Sequence, residues 1–182
     1  MRMRPTWQSP TSQNEIVVIG IGQELRGDDG AGLAVVRRWQ KQYPLTASQV
    51  RVELCSLPGL DLLNVWDGAR VAIIVDTVRS DARPGSLHEL DCNDLGSFGA
   101  GTQSAHGFGL AESLKLANEL CMDELPEIRI LAISGSDFNL GSRLSPTVKK
   151  ALPRAAEYLE ELVNGFLDKE AVFEKWPPIY VV

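Results

Sequence analysis

Cysteine is scarce. The 182-residue chain has three, Cys55, Cys92 and Cys121, an odd number at wide spacing. No pair has the short separation of a zinc ribbon or a redox dithiol, so neither a disulfide scaffold nor a structural zinc knot is expected, and the three read as reduced, buried thiols of a cytoplasmic protein. Positive charge is also short. Lysine and arginine number 18 against 24 aspartates and glutamates, which leaves a net charge of −6 and no basic cluster. Nucleic acid and anionic membrane surfaces both demand phosphate neutralisation, so neither is an expected partner. No stretch approaches the ~20 consecutive apolar residues of a membrane span. The opening MRMRPTWQSPTSQNE carries charges without an apolar run behind them, unlike a secretory signal. A Gly-x-Ser-x-Gly elbow, a Walker loop and a His-Glu-x-x-His motif are all missing.

What is there is ordinary for a globular domain: 44% hydrophobic and 23% charged residues. The patterning predicts one domain over residues 15–165, a flexible leader over 1–14 and a C-terminal tail over 166–182. IVVIG (16–20) is a short apolar run ending in glycine and reads as a buried strand. Leu33, Val36 and Trp39 recur at helical spacing, which predicts a helix over 30–43. Residues 50–54 alternate like a strand, and 60–66 form a short helix. VAIIV (71–75) is a continuous apolar run typical of a central strand covered on both faces, ending before Asp76. A weaker edge strand is expected over 86–90, a long loop over 91–105, a helix over 108–120 and a strand over 128–133. Ser145-Pro146 is a helix start, an N-cap followed by proline in the first turn, and the helix is expected to run to about 163. Strands alternating with helices predict a three-layer α/β/α sandwich with a largely parallel, mixed sheet.

In such sheets ligands bind at the carboxyl ends of strands, near a reversal of strand order. Three metal-ligating side chains map to that rim. Asp29 lies on the loop after the first strand, Asp76 directly after VAIIV, and His106 just before the expected 108–120 helix. The loop itself is not a dinucleotide fingerprint. Gly20-Ile-Gly22 lacks the third glycine, because Leu25 stands in its place, and Asp28 and Asp29 would repel a phosphate at the helix start. Each aspartate can cap a helix; only one is needed, which leaves the other for the crevice. Asp76 can equally be a solvated strand end, His106 a capping or packing residue, and His88 reads as a plain surface residue of the edge strand. Two carboxylates and one imidazole are a donor set suited to a divalent transition metal with open positions.

These residues resemble a known family. VVIGIGQELRGDDGAG (17–32), IIVDTV (73–78), SAHGFGLAESL (104–114) and LSPTVKKAL (144–152) are similar, in this order, to the motifs of the nickel–iron hydrogenase maturation endopeptidases. The resemblance implies a phosphorylase/hydrolase-like fold. It implies an endopeptidase that trims the C-terminus of the hydrogenase large-subunit precursor after nickel insertion. It also implies that Asp29, Asp76 and His106 are both the metal-binding and the catalytic set, with nickel supplied by the substrate rather than held as a resident cofactor. Gln23 and Asp28, on the same loop, are the substrate-binding candidates. The chain departs from the family pattern at Gln23, where asparagine is usual, and after Ile133, where Ser-Gly-Ser-Asp replaces a Glu-Pro. The Gln23 departure and the tail after Gly165, which has no counterpart in the family pattern, keep open a second expectation, a non-cleaving, metal-dependent assembly or recognition factor on the same fold. The expected state is a monomer or weak homo-oligomer.

Overall fold

The computed structural model describes residues 16–56, 61–91 and 125–175. The leader, most of the 91–105 loop, the 108–120 helix, His106, Cys92, Cys121 and residues 176–182 lie outside the described residues. Branched apolar runs become the strands: β1 Ile16–Ile21, β2 Arg51–Cys55, β3 Val71–Val78, β4 Leu87–Asp91 and β5 Glu127–Ser134. They form one sheet in the order β2-β1-β3-β5-β4. All pairings are parallel except β4 with β5, which is antiparallel. The largely parallel, mixed sheet is therefore as the sequence implies, with the antiparallel strand at an edge.

All six positions of β1 are buried, as a strand sandwiched between helical layers requires. The alternation of β3 separates the two faces. Val71, Ile73 and Val75 pack with the helices α1 (Ala31–Gln42) and α4 (Pro146–Lys175). Ala72 and Ile74 pack on the opposite side with Leu62, from the short helix α3 (Asp61–Val65), and with Trp66. A further short helix, α2 (Pro44–Ala47), was not expected, although Pro44 at its first turn is the usual start signal. Glu160 of α4 holds it in place. Its carboxylate accepts from Thr46 Oγ1 (2.7 Å), from the indole N–H of fully buried Trp39 (2.8 Å) and from Asn164 Nδ2 (3.0 Å). A buried indole needs such a partner.

Two expected boundaries are corrected. β3 does not stop before Asp76, because β5 continues to pair with it as far as Val78 opposite Ser134. The last helix does not stop near 163 but runs to Lys175, so residues 166–175, expected as tail, are helical. The reason is that Phe166 extends the buried stripe of Ala155, Ala156, Leu159 and Val163. That stripe also carries the helix past Pro153, whose missing N–H removes one backbone hydrogen bond. Ending the chain after Gly165 would take Phe166 out of the core. The expected loss is about 3 kcal/mol, seen as a lower urea midpoint; an unchanged midpoint would mean the helix end adds nothing. Among the described residues no helix is long and apolar enough to cross a membrane.

Candidate functional site

Strand order reverses at β1: the chain goes from β1 to β2 on one side and then crosses to β3 on the other. The crevice between the carboxyl ends of β1 and β3 is thus the place where this fold leaves room for a ligand. The loop after β1 is built to fill that corner tightly. Gly22 has φ of +142°, and a Cβ there would stand 1.8 Å from the carbonyl oxygen of Asp29. Only glycine lets the loop fold back on itself so closely. The N–H of Gly22 donates to Cys55 O (3.1 Å), tying the turn to the end of β2.

The GDDG segment forms a 3-10 turn, Gly27–Gly30, rather than the first turn of the α-helix. It packs against β3. α1 starts immediately after it, with Gly32 lying over two strand ends. A Cβ on Gly32 would be 2.3 Å from Ile21 O and 2.4 Å from Val75 O. Asp29 is fully buried, and its Oδ2 accepts the backbone N–H of Gln23 at 3.1 Å. Asp76 follows Val75, whose register partner on β1 is Gly20, so it stands level with the last residue of β1. It is 1% exposed, and its Oδ1 accepts the N–H of Thr77 at 2.7 Å. Asp29 and Asp76 are thus both buried on segments near the carboxyl end of β1, one on the turn that packs against β3 and the other on β3 itself. His106, the third expected ligand, lies outside the described residues. Among the described residues no three His, Cys, Asp or Glu side chains form a metal-holding group.

Asp28 behaves unlike its neighbour. No side chain caps the 3-10 turn or α1, so the local capping role considered for the acidic pair is not used. Both oxygens of Asp28 instead reach residues more than a hundred positions away. Oδ2 accepts from Ser136 N (2.8 Å), Ser136 Oγ (3.2 Å) and Asp137 N (3.0 Å), and Oδ1 accepts from Ser145 N (2.7 Å) at the start of α4. Burial pushes this carboxyl up, but the three backbone donors outweigh it and hold it below the usual carboxylate range. Backbone hydrogen bonds continue the closure: Gly141 N to Leu25 O (2.7 Å), Gly27 N to Ser142 O (3.1 Å) and Asp28 N to Asp137 O (2.7 Å). The loop bearing Asp29 is thus zipped to the loop that follows β5. Phe138 packs that second loop down, with the Arg79 guanidinium 4.2 Å above its ring. Of the two substrate-binding candidates, Gln23 is partly exposed on the crevice loop, while Asp28 spends its carboxylate on the scaffold.

One group was expected to be a plain surface residue. His88 and Asp76 are both register partners of Ala132, so all three side chains share one face of the sheet. His88 Nε2 lies 2.9 Å from Ser134 Oγ, which lies 2.7 Å from Ser80 Oγ. Edge-strand alternation made His88 look like a surface residue. The hint that was available is that Ser134 is the last residue of an apolar run and needs a polar partner when buried.

The family model for hydrogenase maturation proteases matches residues 34–162. Protein FrxA of Pyrococcus furiosus is 31% identical over 142 residues, covering 76% of this chain and 97% of that protein. Hydrogenase expression/formation protein HupD of Thiocapsa roseopersicina is 30% identical over 160 residues, covering 85% of this chain and 70% of that protein. The solved structure of the NiFe hydrogenase maturation protease HybD from Thermococcus kodakarensis is similar at a TM-score of 0.62 and 29% identity, covering 82% of this chain and 99% of that one.

Proposed function

The chain belongs to the hydrogenase maturation protease family, and from that premise we propose that it removes the C-terminal peptide of a nickel–iron hydrogenase large-subunit precursor after nickel insertion. It is a peptide-bond hydrolase, an endopeptidase. The observation that supports the finer reading is that two carboxylates, Asp29 and Asp76, are each buried on segments flanking the crevice where strand order reverses. Burying a carboxylate is costly unless something repays it, and here two from distant parts of the chain are spent beside one crevice. Together with His106 they make an oxygen-and-nitrogen donor set that suits nickel(II). In this reading the nickel arrives as part of the substrate, and when bound it supplies Lewis acidity toward the scissile carbonyl.

The chain's own residues do the rest. Gln23 N–H orients Asp29, and Thr77 N–H orients Asp76, so neither carboxylate has to be ordered when the client arrives. One of the two accepts the proton of the attacking water and returns it to the leaving amine, a general acid–base contribution worth roughly 10²–10⁴ in rate. The test is intact-mass measurement of a large-subunit precursor mixed with the protein. A nickel-loaded precursor should lose a C-terminal fragment, and a nickel-free one should keep its mass. Association without any mass change would overturn the reading and make the protein a recognition factor.

A further inference from the structure

We propose that the groove beside the Asp29 loop is the specificity subsite of the protease, and that it takes bulky aliphatic side chains of the client polypeptide close to the scissile bond. The inference rests on the reading that the chain cleaves such a polypeptide. The groove has a volume of about 380 Å³. Its rim is made of Leu25, Leu140 and Leu54, which are 72%, 80% and 41% exposed, and buried Leu33 forms its floor. Large aliphatic side chains held this far out in water point to a surface that is covered during function.

Three features select an extended segment of the client as the occupant. The first is place. Gln23 lines the groove, and its backbone N–H is the donor that holds the Asp29 carboxylate. Whatever fills the groove touches the same residue that orients Asp29. The second is rigidity. Leu25 and Leu140 sit on different loops, but Gly141 N donates to Leu25 O at 2.7 Å, so the two leucines are set side by side before anything binds. The third is charge. Among the described residues the charged side chains that line the groove, Arg37 and Glu24, pair with each other and are self-neutralising. The groove therefore offers apolar contact without a net charge to attract an acidic or basic residue.

Steady-state cleavage of a nickel-loaded large-subunit precursor by the full chain tests this. Two precursors are compared, one natural and one with the aliphatic residues within three positions of the scissile bond changed to serine. The protein is used as wild type and as the double variant Leu25→Ser/Leu140→Ser, whose melting temperature should not move because both leucines are exposed. For the natural precursor the double variant should raise KM about tenfold while kcat stays within about twofold, because contact equal in ground and transition states is lost. It should also lose most of the wild type's preference between the two precursors. Wild-type KM and preference in the double variant would overturn the assignment. So would a dimer that dissociates in light scattering when the leucines are replaced while KM stays put, since the occupant would then be a second copy. Asp29→Asn is run alongside. If it still cleaves, the underlying reading fails; if it is inactive and the double variant cleaves like wild type, only the groove assignment falls.

Discussion

Asp29→Asn and Asp76→Asn are each expected to lower cleavage by about 10³-fold or more while leaving the fold as stable as wild type or slightly more so. The first half follows from charge. An amide keeps the shape and the acceptor oxygen but can neither take a proton nor bind a cation as a carboxylate does. The second half follows from burial. Asp29 is 0% and Asp76 1% exposed, and the hydrogen bonds they accept, from Gln23 N and Thr77 N, suit an amide oxygen as well. Removing a charge from a buried site ends a desolvation cost, which is the usual direction of a stability–activity trade-off. Because the two act as one unit, the double variant should lose little more than either single one. Cleavage assays and thermal melts on the three variants decide the matter. Near-wild-type cleavage in either single variant, or unfolding in both, would defeat the two-carboxylate corner.

How far the site could be read in the sequence depends on the reach of each interaction. The strands were legible because a central strand declares itself by continuous apolar residues, as in residues 16–20 and 71–75, and the order of elements then places Asp29 and Asp76 near the same strand ends. β3 was cut short because Asp76 looks like a terminus; it is instead a charged residue inside a strand that β5 still pairs. Gly165 looked like the end of the last helix, yet the stripe resumes at Phe166. That one aspartate of Asp28-Asp29 is structural was legible, but what Asp28 holds was not. The donors that claim Asp28 are Ser136, Asp137 and Ser145, none of them near it in sequence. The groove was equally hidden, because Leu25 and Leu140 are brought together by bonds between loops far apart in sequence, among them Gly141 N to Leu25 O.

Asp28→Ala is expected to be the most destabilising change at the site, by about 3–5 kcal/mol, against a total that is typically only 5–15 kcal/mol. The substitution leaves the N–H groups of Ser136, Asp137 and Ser145 without their acceptor; these bonds are only part-buried, so each loss is expected at about 1 kcal/mol, the low end of the range for an unmade hydrogen bond. It also loosens Ser145, whose Oγ caps α4 by accepting Val148 N–H at 3.4 Å and whose own N–H is held by this carboxylate. Asp28→Asn should fall between, because one amide oxygen can replace one carboxylate oxygen while its NH₂ meets donors. The pH dependence gives the sharper signature. Asp28 titrates below an unfolded aspartate, whose value is about 3.9. Its contribution is therefore fully present above that pH and is lost as pH falls through the lower, folded value. Urea midpoints measured from pH 7 down to the acid limit should converge for wild type and Asp28→Asn as pH drops below about 4. A gap that stays constant to the lowest pH would mean that the charge of Asp28 is not what binds the two loops. Activity separates this scaffold role from chemistry. Under conditions where Asp28→Asn is fully folded, cleavage should be reduced through a displaced Asp29 turn but not abolished, because Asp29 and Asp76 keep their own donors.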